Sequence, residues 1–191
     1  MNIFACIKQV PDTTTRIKLR GDGNGIDEAD IQWIISPHDE LAIEEALRLR
    51  EQQPDSVVTV LSAGPERVTD SLRMALAMGA DSAMRLDLPD DADSSMNARA
   101  LAAAIGKLGS ADIVFTGKEA IDDGAAAARA RAPPPGPRRA APRGFRPSPL
   151  IWSAAALGWG RFDTEPAIDG VQLRHGAAEC RWVRLAGAGG C

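Results

Sequence analysis

SVVTVLSAGPERVTDSLRMALAMGADSAMRL, residues 56–86, reads as one strand–helix–strand unit. Ser56–Ser62 is a continuous apolar run rich in β-branched residues, the pattern of a strand buried on both faces. Ala63-Gly64-Pro65 turns the chain. Glu66–Met78 is helical and is closed by Gly79, a C-cap glycine. Ser82–Leu86 is the next strand.

The same alternation continues on both sides. Asn2–Val10 (NIFACIKQV) reads as a buried strand stopped by Pro11-Asp12-Thr13. Gly21-Asp22-Gly23-Asn24-Gly25 is a turn cluster, so Ile17–Leu19 and Gly25–Ile26 flank a hairpin. Ile31–Ile35 is a short apolar run ended by Ser36-Pro37. Asp39–Arg50 is an amphipathic helix with acids early and arginines late; Leu41, Ala42, Ala46 and Leu49 form its apolar face. Ser94–Leu108 is a helix with Asp93 or Ser94 as N-cap. Ala111–Thr116 is a strand followed by Gly117. Helices between apolar strands predict an α/β fold, an open, mostly parallel sheet with helices on both faces. Ligands of such sheets bind beyond the carboxyl ends of the strands. Four loops meet there: Lys8–Asp12, Ser36–Asp39, Ala63–Pro65 and Gly117–Asp123.

The chain has 191 residues, 45% hydrophobic and 25% charged, enough apolar material for a core without staples. Its three cysteines, Cys6, Cys180 and Cys191, form no CxxC pair. That argues against a disulfide framework or zinc site and fits a reducing, cytoplasmic setting. No apolar run is long enough to span a bilayer, and Met1-Asn2 leads directly into a strand without a signal peptide. The net charge of -4 argues against a general nucleic-acid binder.

Charge and composition divide the chain. Residues 1–123 carry 12 Lys and Arg against 22 Asp and Glu; residues 124–191 carry 10 against 4. Residues 124–149 hold 7 of the 13 prolines and 6 arginines, with no acid and no Leu, Ile or Val. Such a segment cannot bury enough apolar area to offset its ordering entropy. The expected organisation is an α/β domain over 1–123, an irregular Pro/Arg/Ala-rich segment over 124–149, and an irregular tail over 150–191.

The loops contain few groups suited to catalysis. Gly117-Lys118-Glu119-Ala120-Ile121-Asp122-Asp123 leaves a strand and should open onto a helix. It reads either as a plain turn or as a nucleotide loop, since glycine permits close approach and a helix N-terminus suits a phosphate. It contains no Walker A motif, and no GxGxxG follows the first strand. Cys6 reads as a small core residue rather than a reactive thiol. His38 lacks a paired nucleophile, and Trp33 reads as core or interface rather than a flavin stack. Asp87–Asp93 reads as a solvated acidic loop. Asp122 and Asp123 either accept hydrogen bonds from ribose hydroxyls or orient their loop.

Five segments in order, NIFACIKQVPDTT, ISPHDELAIEEALRLRE, VVTVLSAGP, LRMALAMGAD and GKEAIDD, resemble the β subunit of electron transfer flavoprotein, including its FixA-type relatives. The resemblance covers roughly residues 1–123. It implies a Rossmann-like domain of the adenine-nucleotide-binding superfamily. It also implies an electron carrier subunit rather than an enzyme, paired with an α subunit as a heterodimer and serving flavin-dependent dehydrogenases. AMP would lie on this chain. FAD would be shared with the α subunit, or a second FAD would fill the β site in bifurcating types. Carried over by position, the nucleotide site comprises Cys6 through its backbone, Ser36, Pro37, His38, Asp39, Ala63, Gly117, Lys118, Glu119, Ala120, Ile121, Asp122 and Asp123. Ser36 replaces the family's usual Asn.

After Asp123 the resemblance stops. Trp159–Gly170 recovers a faint likeness, with Pro166 where a basic residue is expected. Shifts of reading frame in a GC-rich coding sequence would account for 124–148 and roughly 171–191; a real basic linker or tail is the other reading. Two further functional readings stand beside the carrier subunit: a non-redox nucleotide-binding module of the same superfamily, and a non-functional product.

Overall fold

A computed structural model describes residues 1–109 and 111–125 in full, and the backbone of 151–153 and 182–186. The expected irregular segment 124–149 lies outside the described residues, apart from its first two.

Four strands form the parallel centre of one sheet: β1 (Asn2–Cys6), β4 (Val57–Gly64), β5 (Ser82–Asp87) and β6 (Ile113–Gly117). β1 pairs with β4 from Asn2↔Val57 to Cys6↔Leu61, and with β6 from Ile3↔Ile113 to Cys6↔Thr116. Two antiparallel strands flank them, β7 (Ile151–Ser153) on β6 and β8 (Trp182–Ala186) on β5. The order is β7-β6-β1-β4-β5-β8. The tail expected to be irregular thus contains two short strands at the sheet edges; its other residues are outside the description.

Alternation along β1 serves two cores. Ile3 and Ala5 pack with α1 (Pro37–Gln52) and α2 (Val68–Met78); Phe4 and Cys6 pack with α3 (Ser94–Leu108). Helices therefore cover both faces, as the alternation predicts. On α1 the buried apolar residues are Ala42, Ile43, Ala46, Leu47 and Leu49. Leu41, expected on that face, is 39% exposed, whereas Ile43 and Leu47 point inward. Asp93 caps α3 by accepting from the Met96 N–H at 2.7 Å. Gly79 closes α2 with φ +120°, a conformation that strains any L side chain. Gly79→Ala should therefore cost about 1–2 kcal/mol. Gly106→Ala, on the exposed side of α3 with nothing within 4 Å of its Cβ, should stabilise by about 0.5–1 kcal/mol. Urea midpoints of the two variants check both signs.

The strand expected over Asn2–Val10 is two strands. β1 ends at Cys6, and β2 (Gln9–Pro11) pairs antiparallel with β3 (Trp33–Ile35) in a separate ribbon. The break has a local cause. The Lys8 N–H donates to Asp39 Oδ2 at 2.8 Å, and the Lys8 carbonyl accepts from the Ser36 N–H at 2.9 Å. The start of α1 captures the backbone of Lys8 and pulls it off the sheet ladder. The expected hairpin is reduced to one bridge, Leu19↔Ile26.

From β1 the chain steps through β4 to β5, then crosses back to place β6 on the other side of β1. The crevice where direction reverses lies between the carboxyl ends of β1 and β6. This is where open α/β sheets bind ligands.

Candidate functional site

Asp39 spans that crevice. It sits in the first turn of α1, its side chain buried. Its Oδ2 accepts from the Lys8 N–H beyond β1; its Oδ1 accepts from the Gly117 N–H at the end of β6, at 2.9 Å. Burial pushes the Asp39 carboxyl up to about 7, even though both N–H groups and the charges of His38 and Lys8 favour its ionised form. Gly117 has to be glycine here. A Cβ would fall on the Asp39 carboxylate and lie 2.9 Å from His38 Cβ.

Two further contacts hold the Gly117–Asp123 loop. His38 Nδ1–H donates to the Glu119 carbonyl at 2.9 Å. Lys8 Nζ bridges Asp122 at 2.8 Å and Asp123 at 2.9 Å. Burial lowers the Lys8 pKa, but its hydrogen bonds and charge pairing with both aspartates outweigh this and leave it above the ordinary value. Burial likewise raises Asp123, but the Ala125 N–H and Lys8 bring it below the usual carboxylate range. The loop closes on itself through Ala120 N–H to Ala125 O (3.0 Å) and Gly124 N–H to Ala120 O (2.9 Å).

A cleft of about 380 Å³ opens along these strand ends. Of the residues expected at the site, Cys6, Asp39, Ala63, Gly117, Glu119, Ala120, Asp122 and Asp123 line it. Ser36, Pro37, His38, Lys118 and Ile121 do not. Ser36 is buried behind the cleft, with its carbonyl accepting from the N–H groups of Asp39 and Glu40. Lys118 pairs with Glu119 at 3.2 Å. His38 holds the loop from outside. Asp122 and Asp123 both orient the loop, through Lys8, and line the cleft.

Other lining residues are not among the expected site residues, although Lys8 and Gln9 fall in the expected Lys8–Asp12 loop. Gln9 Nε2 donates to the Arg67 carbonyl and to Ser71 Oγ, both at 3.0 Å, which leaves Oε1 without a donor. Thr116 Oγ1 and Asn97 Oδ1 are also buried without a partner. The Arg67 guanidinium lies 3.9 Å from the centre of the Trp33 ring, so Trp33 lines the cleft instead of joining either core. Lys8 was the most legible of these, as a lone cation directly after an apolar strand.

Cys6 offers no nucleophile. Burial, then the Asp39 charge, pushes its thiol up to about 12. Iodoacetamide at pH 8 should leave Cys6 unmodified in the folded protein and alkylate it in urea; peptide mass mapping reads the difference. Among the described residues no group of three or more His, Cys, Asp or Glu could hold a metal ion. No described helix is long and apolar enough to cross a membrane.

The sequence profile of the electron transfer flavoprotein domain matches residues 24–132. The chain belongs to this electron transfer flavoprotein family. It is 40% identical over 124 residues to an electron transfer flavoprotein subunit beta of Syntrophomonas wolfei, covering 65% of this chain and 48% of the relative. It is 44% identical over 128 residues to protein FixA of Azorhizobium caulinodans, covering 64% and 45%. A Bradyrhizobium diazoefficiens subunit beta is 33% identical over 126 residues, covering 64% and 49%. The chain thus spans about half the length of the curated relatives it matches. In this electron transfer flavoprotein domain, the profile match runs through β4, β5, β6 and the Gly117–Asp123 loop that borders the cleft.

Proposed function

We propose that this chain is the nucleotide-holding part of an electron transfer flavoprotein β subunit, with AMP in the cleft over the carboxyl ends of β1, β4 and β6. The observation that carries the reading is the cleft itself. It borders the reversal of strand order, extends to α3, and gathers three unpartnered buried oxygens, on Gln9, Asn97 and Thr116. Buried polar atoms without partners are costly, and a polar ligand would satisfy them. A volume of about 380 Å³ suits a mononucleotide better than a whole FAD.

The chain's own residues supply position rather than chemistry. Asp39 fixes the two strand ends, Lys8 and His38 hold the loop, and Asp122 and Asp123 present carboxylate oxygens to ribose hydroxyls. FAD, shared with an α subunit in a heterodimer, would supply the electron transfer between flavin-dependent dehydrogenases and a downstream acceptor. The chain is an electron carrier subunit and not an enzyme, and its place is the cytoplasm.

Calorimetric titration with AMP tests the nucleotide reading. Saturable one-to-one binding supports it, and absence of binding at millimolar AMP overturns it. Co-purification with a tagged α subunit, read by visible flavin absorbance, tests the assembly. The isolated chain should be colourless, and FAD bound by the isolated chain would contradict the shared site.

A further inference from the structure

One wall of the cleft is an arm of chain that stands apart from the main sheet. Residues 11–34 run out from β2 and return through β3, and none of them is buried. At the base, Val10 and Ile35 are fully buried and pin the arm to the body. The arm is held together from within. Lys18 Nζ pairs with Asp30 at 2.6 Å, the Asp27 N–H donates to the Lys18 carbonyl at 2.8 Å, and Leu19 bridges Ile26. Pro11, Ile26, Glu28 and Trp33 line the cleft from this side. Among the described residues, the ion pair and the ring contact that join the arm to the body both run to Arg67, the N-cap residue of α2. Its guanidinium lies 3.9 Å from the centre of the Trp33 ring and holds its Nε 3.7 Å from Glu28 Oε2. On the other side it pairs with Asp90, in the loop before α3, at 2.7 Å. The Arg67 carbonyl accepts from Gln9 Nε2 at 3.0 Å, which fixes the residue that carries the guanidinium.

We propose that Arg67 is a positioning residue, the latch that holds this arm against the cleft, and that a ligand enters and leaves when the latch opens. The contacts close the wall and are weak enough to release. Arg67 Nε is buried, yet its 3.7 Å to Glu28 is too long for a hydrogen bond. Glu28 also lies 3.7 Å from Arg20 on the arm itself, so its charge stays paired when the arm lifts. The Asp90 side chain is 53% exposed, so water takes the place of the guanidinium. Ion pairs of this kind are weak singly and are screened by salt, and the ring adds a cation–π contact. Opening is then a local event that leaves the main sheet intact.

Hydrogen–deuterium exchange of the full chain tests the latch without any ligand. In Arg67→Ala the amides of residues 12–34 should exchange about tenfold faster, the worth of one ion pair and one cation–π contact together, while Val57–Gly64 of β4 stays unchanged. Arg67→Lys keeps the charge and should restore part of the protection. Raising salt from about 50 mM to about 500 mM should speed exchange in the arm of the wild type and not further in Arg67→Ala. Unchanged exchange in the arm, or a rise shared equally by β4, overturns the latch. If Arg67→Ala does not fold, the salt comparison on the wild type decides by itself, and no salt effect overturns the latch. Passage of the ligand rests on the nucleotide reading and is tested with AMP, whose association and dissociation rates come from nitrogen-15 line shapes during titration. Both rates should rise about tenfold in Arg67→Ala, whereas loss of a binding contact would raise dissociation alone. Unchanged association overturns the gating and leaves the nucleotide reading standing. If the wild type binds no AMP, the nucleotide reading falls with the gating of AMP, and the exchange data still decide the latch.

Discussion

Asp39→Ala should loosen the crevice and remove nucleotide binding. The substitution strands the N–H groups of Lys8 and Gly117, both held only by this carboxylate at 2.8 and 2.9 Å. Each buried donor left unpaired costs about 1–3 kcal/mol. Relief of the buried charge offsets part of this, so the expected net loss is about 1–3 kcal/mol. The pH dependence separates the two contributions. Burial raises the Asp39 carboxyl from 3.8 to about 7 in the folded chain. Between these values the folded state binds more protons than the unfolded one, so this group's contribution is full below about 4 and is lost as pH rises through about 7. Asp39→Asn should lack that slope. A carboxylate accepts from both N–H groups, whereas its protonated form offers one of its oxygens as a donor. The amide protons of Gly117 and Lys8 should therefore titrate together, with a midpoint near 7, in nitrogen-15 spectra. A midpoint near 4, or titration that persists in Asp39→Asn, would sink the assignment.

Gly117→Ala should be nearly as damaging, for a steric reason. The added Cβ would fall on the Asp39 carboxylate, 2.9 Å from His38 Cβ and 3.0 Å from the His38 backbone carbon. The carboxylate cannot swing away without releasing Lys8, and the His38 backbone belongs to the first turn of α1. Either the loop or the helix start must shift. Overpacking of this kind costs about 1–3 kcal/mol, and the Gly117 N–H bond to Asp39 is lost with it. The movement reaches the ligand directly, because Glu119, Asp122 and Asp123 follow on the same loop. The expected outcome is a lower unfolding midpoint together with at least a tenfold loss of AMP affinity, roughly the 1.4 kcal/mol of one displaced contact. Wild-type affinity in this variant would show that the loop's distance from α1 does not matter to the site.

The α3 boundaries were legible because the signals were local. Asp93 precedes a helical apolar pattern, and the helix runs from Ser94 to Leu108 as the pattern predicts. Gly79 ends α2 for a reason visible in one residue. The long first strand was misread because the apolar Val10 lies just two residues beyond the apolar run that ends at Ile7, across Lys8 and Gln9. Gln9 and Val10 are buried, but in a second ribbon. Hydropathy reports burial and does not say which neighbour provides it. The face of α1 failed in the same way: Leu41 and Ile43 are equally apolar, and their directions depend on where the sheet lies.

The sequence by itself determined the alternation of strands and helices, the caps, and the family likeness in the loops, because propensity, period and turn chemistry act over a few residues. It also placed Asp39 and Asp122–Asp123 on loops at one end of the sheet. Only the tertiary structure decided which of these groups meet. Lys8 and Asp122 lie 114 positions apart, and Asp39 and Gly117 lie 78 apart. Their contacts exist because the chain crosses back after β5 and sets β6 beside β1, a choice of strand order that no local pattern encodes. The same crossing buries Asp39 and raises its pKa, since desolvation depends on everything packed around a group and not on its neighbours in sequence.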